Sequence, residues 1–445
     1  MITRDRSHPC VIMWSIGNEI YERNGLSGGY ALCAEITAYV RSLDATRPVT
    51  CAIPSAFNGV EDADMEKIVQ EWISTTNAAA SDTIQNFITS YSRNLWAKDT
   101  EAFAAPLDVV GYNYLEERYE HDGKLFPERV ICGQESFPMQ IDVAWGKVET
   151  LPYVIGDFAW AAIDYLGEVG LGLAAYVPKD EACDIDPQKA LVKNYPLRTA
   201  NCCDFDINGL PMPQLAYRRI VWGSDETFIA ARPPANEGKR EFMTQWAWPE
   251  CYNVWTFPGY EGRLTTVDVY SAADEVELFL NGQSVGTKPV GKINRYRGQF
   301  SLNYQRGTLL AVSRTNGKEV SRAELKTAGA IVAIRLTAEK STISADGNGL
   351  AYIIAELIDD QGNVVPFQDK LLKASVTGEA TLAAFGTGRP KTTENYTAGE
   401  FTSWLGRCVA ILRSGTTIGK AGLRVEAIGL QPVEIRFDDI ALNIV

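Results

Sequence analysis

Histidine is nearly missing from this chain: its 445 residues carry only His8 and His121. A zinc site built on imidazoles, or a serine–histidine–aspartate triad, would have to use one of them, so both chemistries start with little to work with. The nine cysteines form no C-x-x-C pair. An odd number scattered through a long chain reads as buried thiols rather than a disulfide framework. Positive charge is scarce too, with 42 Lys and Arg against 56 Asp and Glu. The resulting net charge of -14 argues against nucleic acid or an anionic membrane as partner, since both demand basic patches that displace counterions. No apolar run reaches the ~20 residues of a transmembrane helix. The opening Met1-Ile2-Thr3-Arg4-Asp5-Arg6 lacks the apolar core of a signal peptide. Low-complexity linkers and strong internal repeats are absent, and no motif asks for a cofactor or a metal.

What is present is a change of pattern. The chain is longer than the ~250–300 residues at which single cores stop growing, so several domains are expected. Up to Trp222, short apolar strands alternate with helical stretches: Val11–Ile16, Val49–Ile53, Val109–Tyr114, Arg129–Glu135 and Val154–Trp160. Between the first two, Leu32, Ile36, Val40 and Leu43 recur at helical spacing, predicting an amphipathic helix over Tyr30–Leu43 that ends before Pro48. Continuous apolar strands, each followed by a helix, indicate a parallel sheet buried on both faces. From about Gln245 the period becomes two. Val276, Leu278 and Leu280 alternate with acids ahead of an Asn281-Gly282 hairpin turn, and Asn316-Gly317 repeats the device. A second all-β stretch opens near Ile331 with Val332, Ile334 and Leu336, and continues through Tyr352–Leu357 to a turn at Asp360-Gln361-Gly362-Asn363. The expected division is an α/β domain over 1–235 and two β-sandwiches over 236–328 and 329–445.

Two strands end abruptly in a carboxylate: Trp14-Ser15-Ile16-Gly17-Asn18-Glu19 and Arg129-Val130-Ile131-Cys132-Gly133-Gln134-Glu135. In a parallel barrel all C-terminal strand ends share one face, where active sites are built. Two carboxylates at that mouth are what glycoside hydrolysis requires. An acid after a strand also serves simply as the first turn of the next helix. The aromatic residues Trp14, Tyr112, Tyr114 and Trp160 near strand ends suit sugar stacking, and equally suit an ordinary core.

The run Arg4 to Glu19, Arg4-Asp5-Arg6-Ser7-His8-Pro9-Cys10-Val11-Ile12-Met13-Trp14-Ser15-Ile16-Gly17-Asn18-Glu19, closely resembles the acid/base motif of glycoside hydrolase family 2. Val109–Tyr114, Phe126–Glu135 and Gly156–Glu168 resemble its later barrel strands in the same order, and Glu275–Gly286 is similar to the sandwich that follows the barrel in many bacterial β-galactosidases. The resemblance implies that Glu19 is the general acid/base and Glu135 the nucleophile of a retaining β-galactosidase. It further implies that Asn18 binds the sugar 2-hydroxyl, that Tyr114 orients Glu135, and that Trp160 walls the sugar pocket. A retaining pair needs carboxyl groups ~5–5.5 Å apart, one protonated and one ionised. Two departures bear on the sugar: Ser136-Phe137-Pro138 places no histidine after Glu135, and the Asn-x-Lys-Gly motif of family β-glucuronidases is missing. A β-glucuronidase or β-mannosidase on the same scaffold, or a non-catalytic carbohydrate-binding fragment, remain the rivals.

In that family the Asn-Glu motif ends the fourth barrel strand, so the resemblance implies an incomplete (β/α)8 TIM barrel, strands four to eight, followed by two immunoglobulin-like sandwiches. The chain alone is then expected to be poorly soluble and weakly active, or bound to a separately encoded N-terminal half or assembled as a homo-oligomer. Other motifs fall away. Gly282-Gln283-Ser284-Val285-Gly286 matches a nucleophile elbow but lies at a hairpin, and Gly170–Ala175 mimics a dinucleotide loop without the flanking strand. His8 is expected to be a structural hydrogen-bonder. Asp164 and Glu168 are left between substrate binding and pairing with arginine.

Overall fold

A computed structural model of the chain describes residues 1–20, 28–54, 100–179 and 194–441, and the backbone divides into two compact units. One takes in Met1–Ala162, Leu171–Val192 and Lys239–Pro249; the other takes in Ile163–Gly170, Lys193–Gly238 and Glu250–Val445. Cys183, one of the nine cysteines, lies outside the described residues; the eight cysteines among them are free thiols.

The first unit is built on five strands, β1 (Trp14–Asn18), β2 (Val49–Pro54), β3 (Val109–Asn113), β4 (Ile131–Ser136) and β5 (Val154–Ala159). They lie side by side in chain order and all pairs are parallel. Val-Val-Gly-Tyr-Asn of β3 is buried at every position, as a strand covered on both faces must be. β1 begins at Trp14 rather than Val11, because Val11 still belongs to a turn in which its N–H binds the His8 carbonyl. His8 itself contributes main-chain hydrogen bonds and leaves its ring exposed.

A short helix α1 (Ile2–Asp5) precedes β1, and α2 (Gly29–Leu43) links β1 to β2. Gly29, Cys33, Thr37 and Val40 form the buried stripe of α2. Leu32, expected on that stripe, falls outside it and is 54% exposed. The helix passes into β2 through a turn organised by Asp44. Its carboxylate accepts the Thr46 hydroxyl (2.6 Å) and N–H (2.9 Å), the Trp14 indole (2.9 Å) and the Arg47 guanidinium (2.7 Å). Those donors, Thr46 foremost, hold it well below the usual carboxylate range. Later helices α3 (Tyr119–Leu125) and α4 (Ile141–Thr150) flank β3 to β5. Beside β3, the fully buried Asp122 takes hydrogen bonds from Tyr112 Oη (2.9 Å) and Arg118 Nη2 (2.8 Å). A two-stranded antiparallel ribbon, Ala175–Pro178 with Lys239–Phe242, completes the unit.

The second unit contains mainly antiparallel sheets that enclose two apolar cores. Around the first core, Phe228–Ala231, Leu264–Tyr270 and Arg297–Asn303 pair into one sheet, and Gln283–Pro289, Glu275–Leu280, Thr308–Thr315 and Lys318–Lys326 into another. Val276, Leu278 and Leu280 point into it as the alternation requires. Both Asn-Gly turns have two residues with positive φ, 52° and 80° at Asn281-Gly282 and 51° and 73° at Asn316-Gly317, the type I′ geometry that a two-residue hairpin needs. Alternation does not begin at Gln245 as expected. Gln245 and Trp246 form a turn, and the first long strand after it is Leu264–Tyr270. Around the second core, Leu350–Ile358 joins Ala333–Ala338 and Arg407–Ser414, while Leu371–Gly378 joins Gly419–Ala427 in the opposite sheet. Val332 precedes the strand and is exposed, whereas Ile334 is buried as its spacing predicts.

Candidate active site

The strand register brings several predicted residues to one level. Asn18 lies opposite Ala52, Pro54 opposite Asn113, Asn113 opposite Glu135, and Ser136 opposite Ala159, so β1 to β5 end together. Glu19 follows β1, Tyr114 follows β3, Glu135 is the next-to-last residue of β4 and Trp160 follows β5. Glu19, Glu135 and Trp160 are half-buried, while Asn18 is exposed.

Two of these residues sit where the backbone is strained. Glu19 has φ 51° and Tyr114 φ 54°, a left-handed conformation that costs an L side chain roughly 1–3 kcal/mol and recurs at functional sites. Main-chain bonds to the adjacent strand hold both: Glu19 N to Ala52 O (2.9 Å) and Tyr114 N to Glu135 O (2.8 Å). Each strand thus turns sharply at its end and projects its polar side chain there.

Asn113 links the first carboxylate to its neighbour. It is fully buried, and its Nδ2 donates to Asn18 Oδ1 and to Glu19 Oε1, both at 3.1 Å. Tyr114 serves the second. Its hydroxyl is hydrogen-bonded to Glu135, and burial together with the charges of Glu135 and Glu19 pushes the phenol far above its ordinary range. The Trp246 indole Nε1 donates to the same oxygen at 2.8 Å. Next to Glu135, Ser136 Oγ donates to Asp157 Oδ2 (2.9 Å). Two residues earlier, Gly133 has no room for a side chain: a Cβ would sit 2.7 Å from both Asp157 Oδ1 and Tyr119 Oη.

Sequence reasoning passed over Asn113 and Trp246. Asn113 stood within the Gly111-Tyr112-Asn113-Tyr114 run and could have been drawn from it; nothing local marks Trp246. Asp164 and Glu168, left open between substrate and arginine, take hydrogen bonds from neighbours other than arginine. Asp164 is buried and accepts the Asn201 N–H (2.9 Å) and the Cys203 thiol (3.7 Å), and Glu168 takes the Tyr165 hydroxyl. Among the described residues no group of three or more His, Cys, Asp or Glu is arranged to hold a metal ion.

Residues 1–103 match the model for the glycosyl hydrolases family 2 TIM barrel domain, and residues 334–436 match glycoside hydrolase family 2 C-terminal domain 5. The chain belongs to glycoside hydrolase family 2. Between those matches, residues 262–321 correspond to a domain of unknown function (DUF4982). A family 2 member from Bacteroides cellulosilyticus, of solved structure, is 34% identical and superposes with a TM-score of 0.80 over 98% of this chain and 50% of that one. The β-galactosidase BoGH2A of Bacteroides ovatus is 24% identical over 98% of this chain and 50% of its own length. A solved family 2 β-glucuronidase, 15% identical, shares the fold with a TM-score of 0.60 over 99% of this chain and 40% of that one. The family 2 chain therefore spans about half the length of the relatives it matches.

Proposed function

We propose that this chain carries the catalytic carboxylates of a retaining β-glycosidase whose substrate is a β-galactoside. The observation that carries the reading is the pair of supported carboxylates at one sheet end: Glu19 held by the Asn113 amide, and Glu135 held by the Tyr114 hydroxyl. Glu135 attacks the anomeric carbon as the glycosidic C–O bond breaks, and Glu19 delivers its proton to the departing oxygen. Glu19 then takes a proton from water, which attacks the same carbon and frees Glu135. Asn18, exposed at the mouth, hydrogen-bonds the sugar 2-hydroxyl, and Trp160 forms a wall of the pocket. The galactoside assignment is supported by the missing Asn-x-Lys-Gly motif and by the name of the Bacteroides ovatus relative.

The five parallel strands are read as barrel strands four to eight, and the β units as immunoglobulin-like sandwiches within the divisions 1–235, 236–328 and 329–445. Phe228–Ala231 already pairs with sandwich strands and Lys239–Phe242 pairs with Ala175–Pro178, so the first boundary is better drawn as two crossings than as one cut. Among the described residues β1 and β5 each have a strand on one side only. On the reading as barrel strands four to eight, full activity requires the barrel's remaining strands, from a longer polypeptide or a partner.

The test is hydrolysis of nitrophenyl β-galactoside, β-glucuronide and β-mannoside by the chain, alone and with the family's N-terminal half supplied. Turnover of the galactoside in the completed sample, lost in Glu135→Gln, is expected. Turnover that survives Glu135→Gln would overturn the assignment. Preference for another glycoside would change the sugar alone, and sugar binding without turnover would favour a binding fragment.

A further inference from the structure

We infer that Trp246 is a positioning residue of this site, its indole N–H fixing the Tyr114 hydroxyl so that the phenolic proton points at Glu135. This rests on reading Glu135 as the nucleophile. An indole nitrogen can only donate, and an ionised carboxylate can only accept. With Trp246 Nε1 at 2.8 Å, the Tyr114 oxygen is the acceptor of that bond, and its single proton is left for Glu135. The chain of bonds thus has one polarity, from indole to phenol to carboxylate, and each bond strengthens the next in a site of low dielectric.

The ring packing holds this arrangement in place. Tyr114 stacks on Phe137 with centroids 4.1 Å apart and planes at 21°. Trp246 meets both rings edge-on, at 5.7 Å from Tyr114 and 5.3 Å from Phe137. Phe137 follows Glu135 by two residues, so the same cluster grips the end of the strand that carries the carboxylate. The turn that presents the indole is itself anchored. It follows the paired strand Lys239–Phe242, the Thr244 hydroxyl bonds the Leu171 carbonyl, and Ala247 is fully buried with its N–H on Thr244 O (3.1 Å).

The chemical consequence concerns the second half of the reaction. When water attacks the glycosyl-enzyme, the C1–O bond to Glu135 breaks and negative charge returns to the carboxylate. A donor chain aimed at that oxygen stabilises the charge as it develops, and so speeds release of the sugar. It also keeps Glu135 ionised at lower pH in the free enzyme.

The experiment compares Trp246→Phe, Tyr114→Phe and the double variant in the form that hydrolyses nitrophenyl β-galactoside. Trp246→Phe keeps the ring and removes the N–H. It is expected to lower kcat roughly two- to tenfold, the worth of one hydrogen bond between neutral groups. KM should fall with kcat as the glycosyl-enzyme accumulates, and the acidic limb of kcat/KM should move to higher pH. In the Tyr114→Phe background the second substitution should add nothing. Additive losses, or a rise in KM at unchanged kcat and unchanged pH profile, would overturn the inference in favour of packing or sugar contact. A readout free of turnover separates this from the glycosidase reading. With 15N-indole label, the Trp246 resonance, identified by its loss in Trp246→Phe, should move in Tyr114→Phe. A resonance indifferent to Tyr114→Phe overturns the inference whatever the activity; turnover that survives Glu135→Gln overturns only the role of Glu135.

Discussion

Glu116 is buried in the first unit within the influence of Glu117 and Asp157. Burial first, and those two charges next, push its carboxyl from 4.5 up to about 8. The folded state therefore keeps a proton that the unfolded chain releases. Its stabilising contribution is fully present below about pH 4.5 and is lost as pH rises through about 8. Glu116→Gln should remove that loss, so thermal melts should find the variant more stable than the parent at about pH 9 but not at about pH 4. Parallel melting curves across that range would contradict the assignment. Asp122 is fully buried beside a cation. Its buried carboxylate relies on Arg118, and removing one partner of a buried pair costs about 3–5 kcal/mol. Arg118→Met should lower stability by that amount in urea titrations. A loss under about 1 kcal/mol, typical of exposed pairs, would mean that Arg129, 4.0 Å from the same carboxylate, takes over the pairing.

Elements were legible where local pattern and final environment agree. β3 reads as continuous apolar residues because it is covered on both faces, and the two Asn-Gly turns announce hairpins because positive φ is needed twice in succession. Leu278 illustrates the same agreement: alternate spacing predicts burial, and the side chain is fully buried in the first sandwich core. Leu278→Ala should destabilise the second unit by about 2–5 kcal/mol, measured by urea unfolding; a cost well below 1 would mean that the core is loosely packed. Legibility failed where a tertiary choice decided the outcome. Helical spacing locates the stripe of α2 only to within a residue, and Leu32 falls just outside it. Glu19 and Glu135 stood out at abrupt strand ends, but their supports did not. Asn113 looks like a turn former until its amide is seen between Asn18 and Glu19, and Trp246 reaches Tyr114 only because 239–249 packs with the first unit.

At the scale of the whole molecule, the parallel sheet has edges that its own described strands leave open. On β5, Ile155 and Phe158 are 53% and 48% exposed, although strands of such a sheet are ordinarily covered on both faces. Supplying the remaining strands is expected to raise both solubility and turnover, and light scattering read beside activity would check the coupling. Trapping the glycosyl-enzyme tests whether Glu135 is the nucleophile supported by Tyr114 and Trp246. The completed protein would be treated with a dinitrophenyl 2-deoxy-2-fluoro-β-galactoside and the labelled peptide mapped by mass spectrometry. One adduct is expected, on Glu135, and none in Glu135→Gln. An active preparation labelled on a different carboxylate would contradict that role.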